Sequence, residues 1–457
     1  MAGLAASAVV NQKMVRGLST SLSIAIAVAC AIIFSPLKML AYLAPLLFVV
    51  LVYGLTGRLP GFGRILAALT AYAVVCLLYV VGGVEVSFWG AALQVLTLSS
   101  FVALFVFSSR DLRYHRTLWA LLPFLGALFL FESLFGIGQA VIAFGQSGSF
   151  DAANGDHVQG TIFPSTEIDS AFANPMFSAN LILGLSFITP HFRRMRFGWI
   201  IFISMSACIL LASVMHQLVF AVLAWIVAPR LNGASRAQLR KFAVTVFLLV
   251  AGFGALFVFL PQNVSSFTAI YDDFDRGDSP RRIMLANFAG SIPEKYPWQP
   301  LVGLGPSRFC SRAALIATGL YFRSFDVSRY IPTKITEPQS IFLMRLWSEA
   351  STNRYYGSSQ KPFFSWMSVY AEFGLLGLGF VLTLLASIMY RVRRHALAYS
   401  AALPAWNSIQ ASLLFLALLS FQENYLEIPQ AIFLGVVLTA LQFRSAQELA
   451  RSQGVRL

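Results

Sequence analysis

Two adjacent arginines at a predicted helix start are the residues best suited to chemistry in this sequence. Ser279 and Pro280 are typical of an N-cap and a first helical position. Arg281 and Arg282 then fall in the first turn, where cations oppose the helix dipole unless an anion binds at that end. Free backbone N–H groups and two guanidinium forks would bind a diphosphate. The alternative is ion pairing with the acidic residues just upstream, which are Asp272, Asp273, Asp275 and Asp278.

A second pair of arginines follows a glycine turn. Gly303 and Gly305 form the turn, and a short helix is predicted to start near Pro306. Arg308 and Arg312 would lie one turn apart on it and could reach the same anion. We expect Arg308 to assist Arg281 and Arg282 in binding the diphosphate. The competing interpretation is that Arg308 and Arg312 lie on a solvated or lipid-headgroup surface.

The composition indicates a polytopic membrane protein that must position these residues. Of the 457 residues, 58% are hydrophobic and only 11% are charged, whereas soluble proteins carry about 25% charged residues. The fold class predicted is all-α, with about twelve transmembrane helices and one large, partly helical outer loop. The twelve apolar runs are 18–34, 39–55, 64–82, 88–107, 117–138, 172–190, 197–213, 217–230, 242–261, 367–390, 405–421 and 428–443.

The distribution of basic residues predicts the orientation. With the N-terminus inside, the inside segments carry 20 Lys and Arg residues, and the short outside loops carry only Lys38. Both termini are then cytoplasmic. The chain divides into helices 1–9 (residues 1–261, with a smaller outer loop at 139–171), a large outer loop (262–366) and the last three helices with a tail (367–457). The net charge of +14 is therefore topological and does not indicate nucleic-acid binding.

Cysteine and histidine do not form a metal-binding pattern in this sequence. The four cysteines show no CxxC spacing, and no two of the five histidines are four residues apart on a helix. We expect no metal site and no cofactor. Within the spans, Glu132 and Glu372 are expected to be functional or paired, with Glu372 suited to an arginine partner. Glu423 and Glu427 border a short outer turn and are expected to face water.

Three segments resemble, in order, the motifs of the O-antigen ligase/polymerase superfamily (Wzy/WaaL-like membrane glycosyltransferases). The first is AFANPMFSAN at 171–180, similar to the family's NPN-containing span start. The second combines Arg281 and Arg282 with YPWQPLVGLGPSRF at 296–309. The third is SWMSVYAEFGLLG at 365–377, with the ending E-x-G-x-x-G. The resemblance covers about residues 160–380.

The chain departs from the family pattern at two positions, and the first departure favours the polymerase branch. Ligases carry a histidine eleven residues before the first glycine of the third motif, where this chain has Phe363. The family commonly has an arginine a few residues before the Asn-Pro pair of the first motif, and that position falls near Glu167 in this chain. The resemblance implies polymerisation of undecaprenyl-diphosphate-linked repeat units into a surface polysaccharide at the periplasmic face of the bacterial inner membrane. It also implies that neither metal nor nucleotide is required.

The resemblance also implies a set of partners, and two alternative functions stay open. The partners would be the lipid-linked glycan donor and acceptor, the bilayer, a chain-length regulator and a flippase. An O-antigen ligase or protein O-oligosaccharyltransferase is the first alternative function, and a lipid-linked oligosaccharide flippase is the second. An enzyme is favoured because only Glu132 and Glu372 are clearly intramembrane charges.

The general base is predicted among three carboxylates, because a sugar hydroxyl is a poor nucleophile. Glu349 ranks first, since Arg345 one helical turn away could orient it. Glu337 lies in the same outer loop, and Glu167 belongs to the acidic loop opposite. The alternative for Glu349 is an exposed ion pair with Arg345, which contributes little energy.

Overall fold

The computed structural model describes residues 19–36, 38–108, 113–148, 157–162, 170–212, 214–233, 272, 274–277, 279–321, 327–352 and 361–454. All regular elements in these ranges are helices. In chain order they are α1 (Ser19–Ile33), α2 (Lys38–Thr56), α3 (Phe62–Val81), α4 (Phe88–Thr97), α5 (Val102–Val106), α6 (Tyr114–Ser147), α7 (Ser170–Ile188), α8 (Gly198–Leu211), α9 (Met215–Leu231), α10 (Pro280–Ala289), α11 (Ser291–Lys295), α12 (Gln299–Val302), α13 (Arg312–Ala317), α14 (Met344–Thr352), α15 (Ser365–Ala398), α16 (Leu403–Leu419) and α17 (Pro429–Ser452).

The apolar helices are those of a helical membrane protein. Among the described residues, four helices are long and apolar enough to cross a bilayer: α3, α6, α15 and α16 with the turn before it. The pair α4 and α5, bent by 47°, makes a fifth when counted as one span. Shorter apolar helices are α1, α8, α9 and most of α2 and α7. The predicted run 242–261 lies outside the described residues, and the count of twelve spans stays a prediction.

Helix α17 is at the centre of the bundle. It packs against α2, α6, α7 and α16, and residues 429–438 are all buried. Gly435 allows close contact, because a Cβ there would lie 2.4 Å from Leu183. By contrast, α3 has no buried residue, which suits an apolar helix at the lipid-facing side of a bundle.

Contacts between the described connections fall into two groups, which we assign to opposite ends of the bundle. We call the end that carries residues 279–321, 327–352 and 361–364 the outer end. There Arg312 contacts Tyr42, and Lys334 contacts Glu85. At the inner end, Asn232 contacts Asn407, and the backbone N–H of His115 donates to Glu448.

Two of the three short helices predicted in the outer loop are present, and the start of the other was wrong. Helix α10 begins at Pro280 after Ser279, and a π-helical turn (Gln339–Leu343) leads into α14 near the predicted 338–350. The helix predicted near Pro306 instead begins at Arg312, with the Ser311 side chain accepting from Ala314 N. The reason is that the backbone N–H groups of Ser307, Phe309 and Ser311 donate to Glu372, as described below.

The smaller outer loop, predicted at 139–171, begins later than expected because α6 continues to Ser147. Gln139 lies on this helix and binds the returning chain, since its Oε1 accepts from the N–H groups of Gln159 and Gly160 at 2.9 Å. Glu132 accepts from Thr161 N at 2.9 Å and from Thr161 Oγ1. Glu132 is therefore paired, as expected, and it fixes this loop.

Candidate functional site

Glu372 organises the loop that leads to the site. Its carboxylate, fully buried at the start of α15, accepts from the backbone N–H groups of three alternate residues. These are Ser307 at 2.8 Å, Phe309 at 3.2 Å and Ser311 at 3.1 Å, and Gln94 Nε2 donates a fourth bond at 2.9 Å. The arginine partner expected for Glu372 was wrong. Four donors satisfy the buried carboxylate, so its role is to shape the loop.

The two glycine motifs interlock backbone to backbone. Leu304 N donates to Ala371 O at 2.8 Å, and Gly305 N donates to Glu372 O at 3.0 Å. Those carbonyls are free because Gly374, at φ 62°, interrupts α15. A Cβ on Gly303 (φ 83°) would lie 2.3 Å from the Glu372 carbonyl carbon, and one on Gly374 would lie 2.3 Å from Leu301. Both positions therefore require glycine for space and for backbone angle.

Arg312 follows this loop directly, and its guanidinium group is buried. The residue is only 4% exposed. Its Nε donates to the Tyr42 hydroxyl at 2.7 Å, and its Nη1 lies 3.4 Å from Glu423 Oε1. The guanidinium also lies over the Tyr321 ring, 4.4 Å from its centre. The backbone N–H of Arg312 donates to the Glu427 carboxylate.

Lys361 approaches the same carboxylate from the segment before α15. Its Nζ lies 2.7 Å from Glu423 Oε1, the oxygen that Arg312 also contacts. The main chain around Glu423 is fixed as well, since Ser365 N and Oγ donate to Glu423 O at 3.2 and 3.0 Å. Burial lowers the pKa of Lys361, and the Glu423 carboxylate opposes that shift.

Arg281 joins the cluster through the turn between α16 and α17. Its Nη2 donates to Gln422 O at 2.6 Å, and its Nε donates to Lys361 O at 3.2 Å. The guanidinium lies 5.3 Å from the ring centre of Phe364. Burial lowers the pKa of Arg281 to about 10, with Glu423 opposing the shift, so it stays charged at neutral pH. We call Arg281, Arg312, Lys361, Glu423 and Glu427 the buried charge cluster.

The buried charge cluster carries more positive than negative charge at neutral pH. Burial, with the nearby Glu372, raises the pKa of Glu427 to about 8, so this carboxyl is mostly protonated at pH 7. Lys361 Nζ lies at ion-pairing distance, 2.7 Å, from Glu423 Oε1. Three basic side chains, Arg281, Arg312 and Lys361, thus face two carboxyl groups, of which Glu427 is mostly protonated. Such an excess favours a bound anion.

The structure separates the three arginines predicted to bind the diphosphate. Arg281 lies in the buried charge cluster, whereas Arg282 is exposed and its Nη1 donates to Phe274 O at 2.6 Å and to Asp275 O. Arg308 is half-buried, and its Nη1 donates to Leu304 O at 3.1 Å. Burial lowers the pKa of Arg308. Among the described residues, the contacts of the three arginines have no residue in common.

Of the three predicted base candidates, only Glu337 has a described side chain. Its carboxylate lies 2.8 Å from Lys295 Nζ, and both side chains are largely exposed. The hydrogen bond from Lys295 lowers the pKa of Glu337. The backbone of Glu349 lies in α14, but its side chain is outside the described residues, as is all of Glu167. The roles of these three carboxylates stay predictions.

The sequence interpretation missed most of the buried charge cluster. Glu423 and Glu427 were expected to face water, but they are 1% and 4% exposed because α13 and Lys361 cover the turn between α16 and α17. Arg312 was interpreted more readily as a surface residue. The available signal was two carboxylates in a short outer turn of a chain whose large outer loop is basic.

Across the ranges that the structure describes, no group of three or more histidine, cysteine or acidic side chains could hold a metal ion. No protein-family model, no curated protein and no solved structure matches this chain. A proposal on function therefore depends on the geometry of the buried charge cluster.

Proposed function

We propose that this protein polymerises undecaprenyl-diphosphate-linked oligosaccharide repeat units, as a membrane glycosyltransferase of the O-antigen ligase/polymerase superfamily. The observation that carries the proposal is the net positive charge of the buried charge cluster at the outer end. Arg281, Arg312 and Lys361 converge there from three separate segments of the large outer loop. An enzyme that transfers a glycan from a lipid diphosphate needs such a group where apolar helices end.

The cluster suits a diphosphate that carries a lipid. Two guanidinium groups can make forked contacts to phosphate oxygens, and Lys361 adds a compact charge. At its margin, Arg281 lies beside Phe364, which packs against Phe421 with ring centres 6.0 Å apart. Phe421 is 53% exposed at the end of α16. A lipid-linked anion could therefore reach Arg281 from the bilayer side of this turn.

The proposed reaction needs stabilisation of a leaving group more than covalent help from the protein. The acceptor hydroxyl oxygen bonds to the anomeric carbon of the donor glycan as the bond from that carbon to the diphosphate oxygen breaks. The buried charge cluster would stabilise the charge that develops on the departing diphosphate. The hydroxyl proton passes to a base, for which Glu349 and Glu167 stay the candidates. Glu337 is the weakest of the three, because its ion pair with Lys295 lowers its proton affinity.

The proposed orientation follows from the charge asymmetry of the sequence. The outer end would face the periplasm, and both termini would be cytoplasmic in the inner membrane. A flippase is less well supported than an enzyme, because the cations gather at one end. Among the described spans α3, α6, α15 and α16, the buried acidic residues are Glu132 and Glu372, and both are held by loop backbone.

The glycan phenotype of a deletion strain tests the proposal and separates it from the ligase alternative. A polymerase deletion accumulates single lipid-linked repeats, whereas a ligase deletion accumulates long unattached polymer. We expect single repeats. Unattached polymer would favour the ligase, and unchanged surface glycan would contradict both.

Point variants test the assignment of the diphosphate site. Arg312→Lys and Arg281→Lys each keep the charge but lose the forked contact, so polymerisation of purified lipid-linked repeats should fall at least about tenfold. Arg282→Lys and Arg308→Lys are the matched controls, because both residues lie outside the buried charge cluster. Their polymerising activity should stay within about twofold of that of the unmodified protein, since neither would lose a forked contact to the diphosphate. If all four variants lost activity equally, at equal protein level, the buried charge cluster would not be the diphosphate site.

A further inference from the structure

The connection between α7 and α8 at the inner end (residues 189–197, the inner connection) presents three arginines over aromatic rings. The distances from guanidinium carbon to ring centre are 5.8 Å for Arg193 over Phe192, 5.8 Å for Arg194 over Trp119 and 5.0 Å for Arg196 over Phe197. Within the described part of the chain, none of the three forms an ion pair with a carboxylate. All three are exposed. These guanidinium groups thus lie over aromatic rings and have no carboxylate partner among the described residues.

Neighbouring helices hold the rings beneath these arginines in place. Trp119 Nε1 donates to His115 Nε2 at 3.0 Å, and His115 Nδ1 lies 3.0 Å from Ser445 Oγ on α17. The Phe192 ring packs edge-on against Trp199, with centres 4.6 Å apart. The arginines therefore belong to a built surface anchored to α6, α8 and α17.

The backbone of the inner connection is held in a costly conformation that exposes an aromatic ring. Phe197 has a φ of 64°, in the left-handed region that residues other than glycine rarely adopt. Gly198 next to it has no room for a Cβ, which would lie 1.9 Å from Phe192 O. Phe197 is 58% exposed, and the exposed apolar surface continues along α8 through Trp199, Ile200 and Ile203. The arginines thus lie where a bilayer-facing helix ends.

We infer that the inner connection binds the headgroup of an anionic phospholipid from the leaflet at the inner end. The guanidinium forks of Arg193, Arg194 and Arg196 match phosphate oxygens. Phe197 and Trp199 are aromatic residues of the kind found at the headgroup level of a bilayer. A free phosphate ion would use the arginines but not the exposed apolar surface that continues from them. The inference is independent of the activity at the outer end.

Native mass spectrometry of the purified full-length protein tests the inference, because it counts retained lipids without a charged bilayer. The protein is titrated with phosphatidylglycerol and with phosphatidylcholine. The unmodified protein should bind the anionic lipid at least about fivefold more tightly, the factor expected for one basic residue at an anionic surface. The variant R193A/R194A/R196A should lose this preference.

The matched control is R391A/R393A/R394A, which removes the same charge from the inner end of α15, where no ring lies under the arginines among the described contacts. It should keep the preference. If the first variant does not fold, R193K/R194K/R196K decides, because it keeps the charge but loses the fork. The inference is overturned by no preference in the unmodified protein, by equal loss in both alanine variants, by a lysine variant equal to the unmodified protein, or by displacement with inorganic phosphate alone.

Discussion

At the scale of single residues, one oxygen atom joins the charges of the site. Glu423 Oε1 lies 2.7 Å from Lys361 Nζ and 3.4 Å from Arg312 Nη1. Removing one partner of a buried ion pair costs about 3–5 kcal/mol, because the remaining charge stays desolvated. Glu423 therefore keeps the two cations in place when no substrate is bound. A diphosphate would then supply the negative charge that Glu423 alone does not.

Glu427 makes the stability of the protein depend on pH. Its pKa is about 8 in the folded protein and about 4.5 when the carboxyl is free, so the folded state binds the extra proton between these values. Stability from this group is thus full at low pH and falls as pH rises from about 5 to 8. Glu427→Gln removes this titration. From pH 5 to pH 8, the unfolding free energy of the unmodified protein should therefore fall by at least about 1 kcal/mol more than that of the variant.

Thermal or denaturant unfolding in detergent, measured at both pH values for both proteins, gives this difference directly. Glu337→Gln is the control, because that carboxylate is exposed and its pKa is lowered by Lys295, so it should not reproduce the effect. Parallel pH profiles for the unmodified protein and Glu427→Gln would mean that Glu427 is ionised throughout the range.

At the scale of elements, the break in α15 connects a membrane helix to the site. Gly374 ends the regular helical hydrogen bonds, and the freed carbonyls of Ala371 and Glu372 bind the turn at 304–305. Glu372 then holds residues 307–311, and α13 with Arg312 follows at once. The position of Arg312 is consequently set by the packing of α12 against α15.

Gly374→Ala should disrupt this connection. The new Cβ would lie 2.3 Å from the backbone of Leu301, and φ at this residue is 62°. We expect a loss of about 2 kcal/mol or more in unfolding free energy, together with a loss of polymerising activity. The matched control is Gly379→Ala in the same helix, which has nothing within 4 Å. That change should be neutral or stabilising by up to about 1 kcal/mol. Equal stability of the two variants would contradict the role given to the break.

Sequence reasoning identified the helices and the glycine motifs but not the contacts between distant segments. Hydropathy located the described apolar helices, and Ser279 with Pro280 located the start of α10. The depth of Glu372 indicated a functional or paired carboxylate, but its partners are three backbone N–H groups and the Gln94 amide, which leave no pattern of charged residues. Glu423 and Glu427 were predicted to face water, because their burial depends on α13 and Lys361, which lie more than 60 positions away in sequence.

At the scale of the whole molecule, the charges are arranged differently at the two ends. The outer end holds its cations buried and shared among several segments, as Lys361 and Arg312 show. The inner end presents exposed arginines, as in the inner connection. Buried cations suit the binding of one anion, whereas exposed cations suit a charged membrane surface.

Cysteine labelling tests the orientation that this asymmetry implies. In a variant without the four native cysteines, Tyr330→Cys at the outer end and Ser452→Cys at the inner end are both exposed. A membrane-impermeant thiol reagent applied from the periplasm should label position 330, and position 452 should react only after the inner membrane is opened. The reverse order would invert the orientation.

The way in which Glu372 holds residues 307–311 has a consequence for how such proteins diverge. Its bonds go to backbone N–H groups, and every residue except proline has one. Substitutions at these positions therefore leave this interaction intact, whereas Glu372, Gly303 and Gly374 cannot be exchanged without losing it. Homologous chains that keep this arrangement should share one glutamate and a few glycines at fixed spacing long after most other identities have been lost.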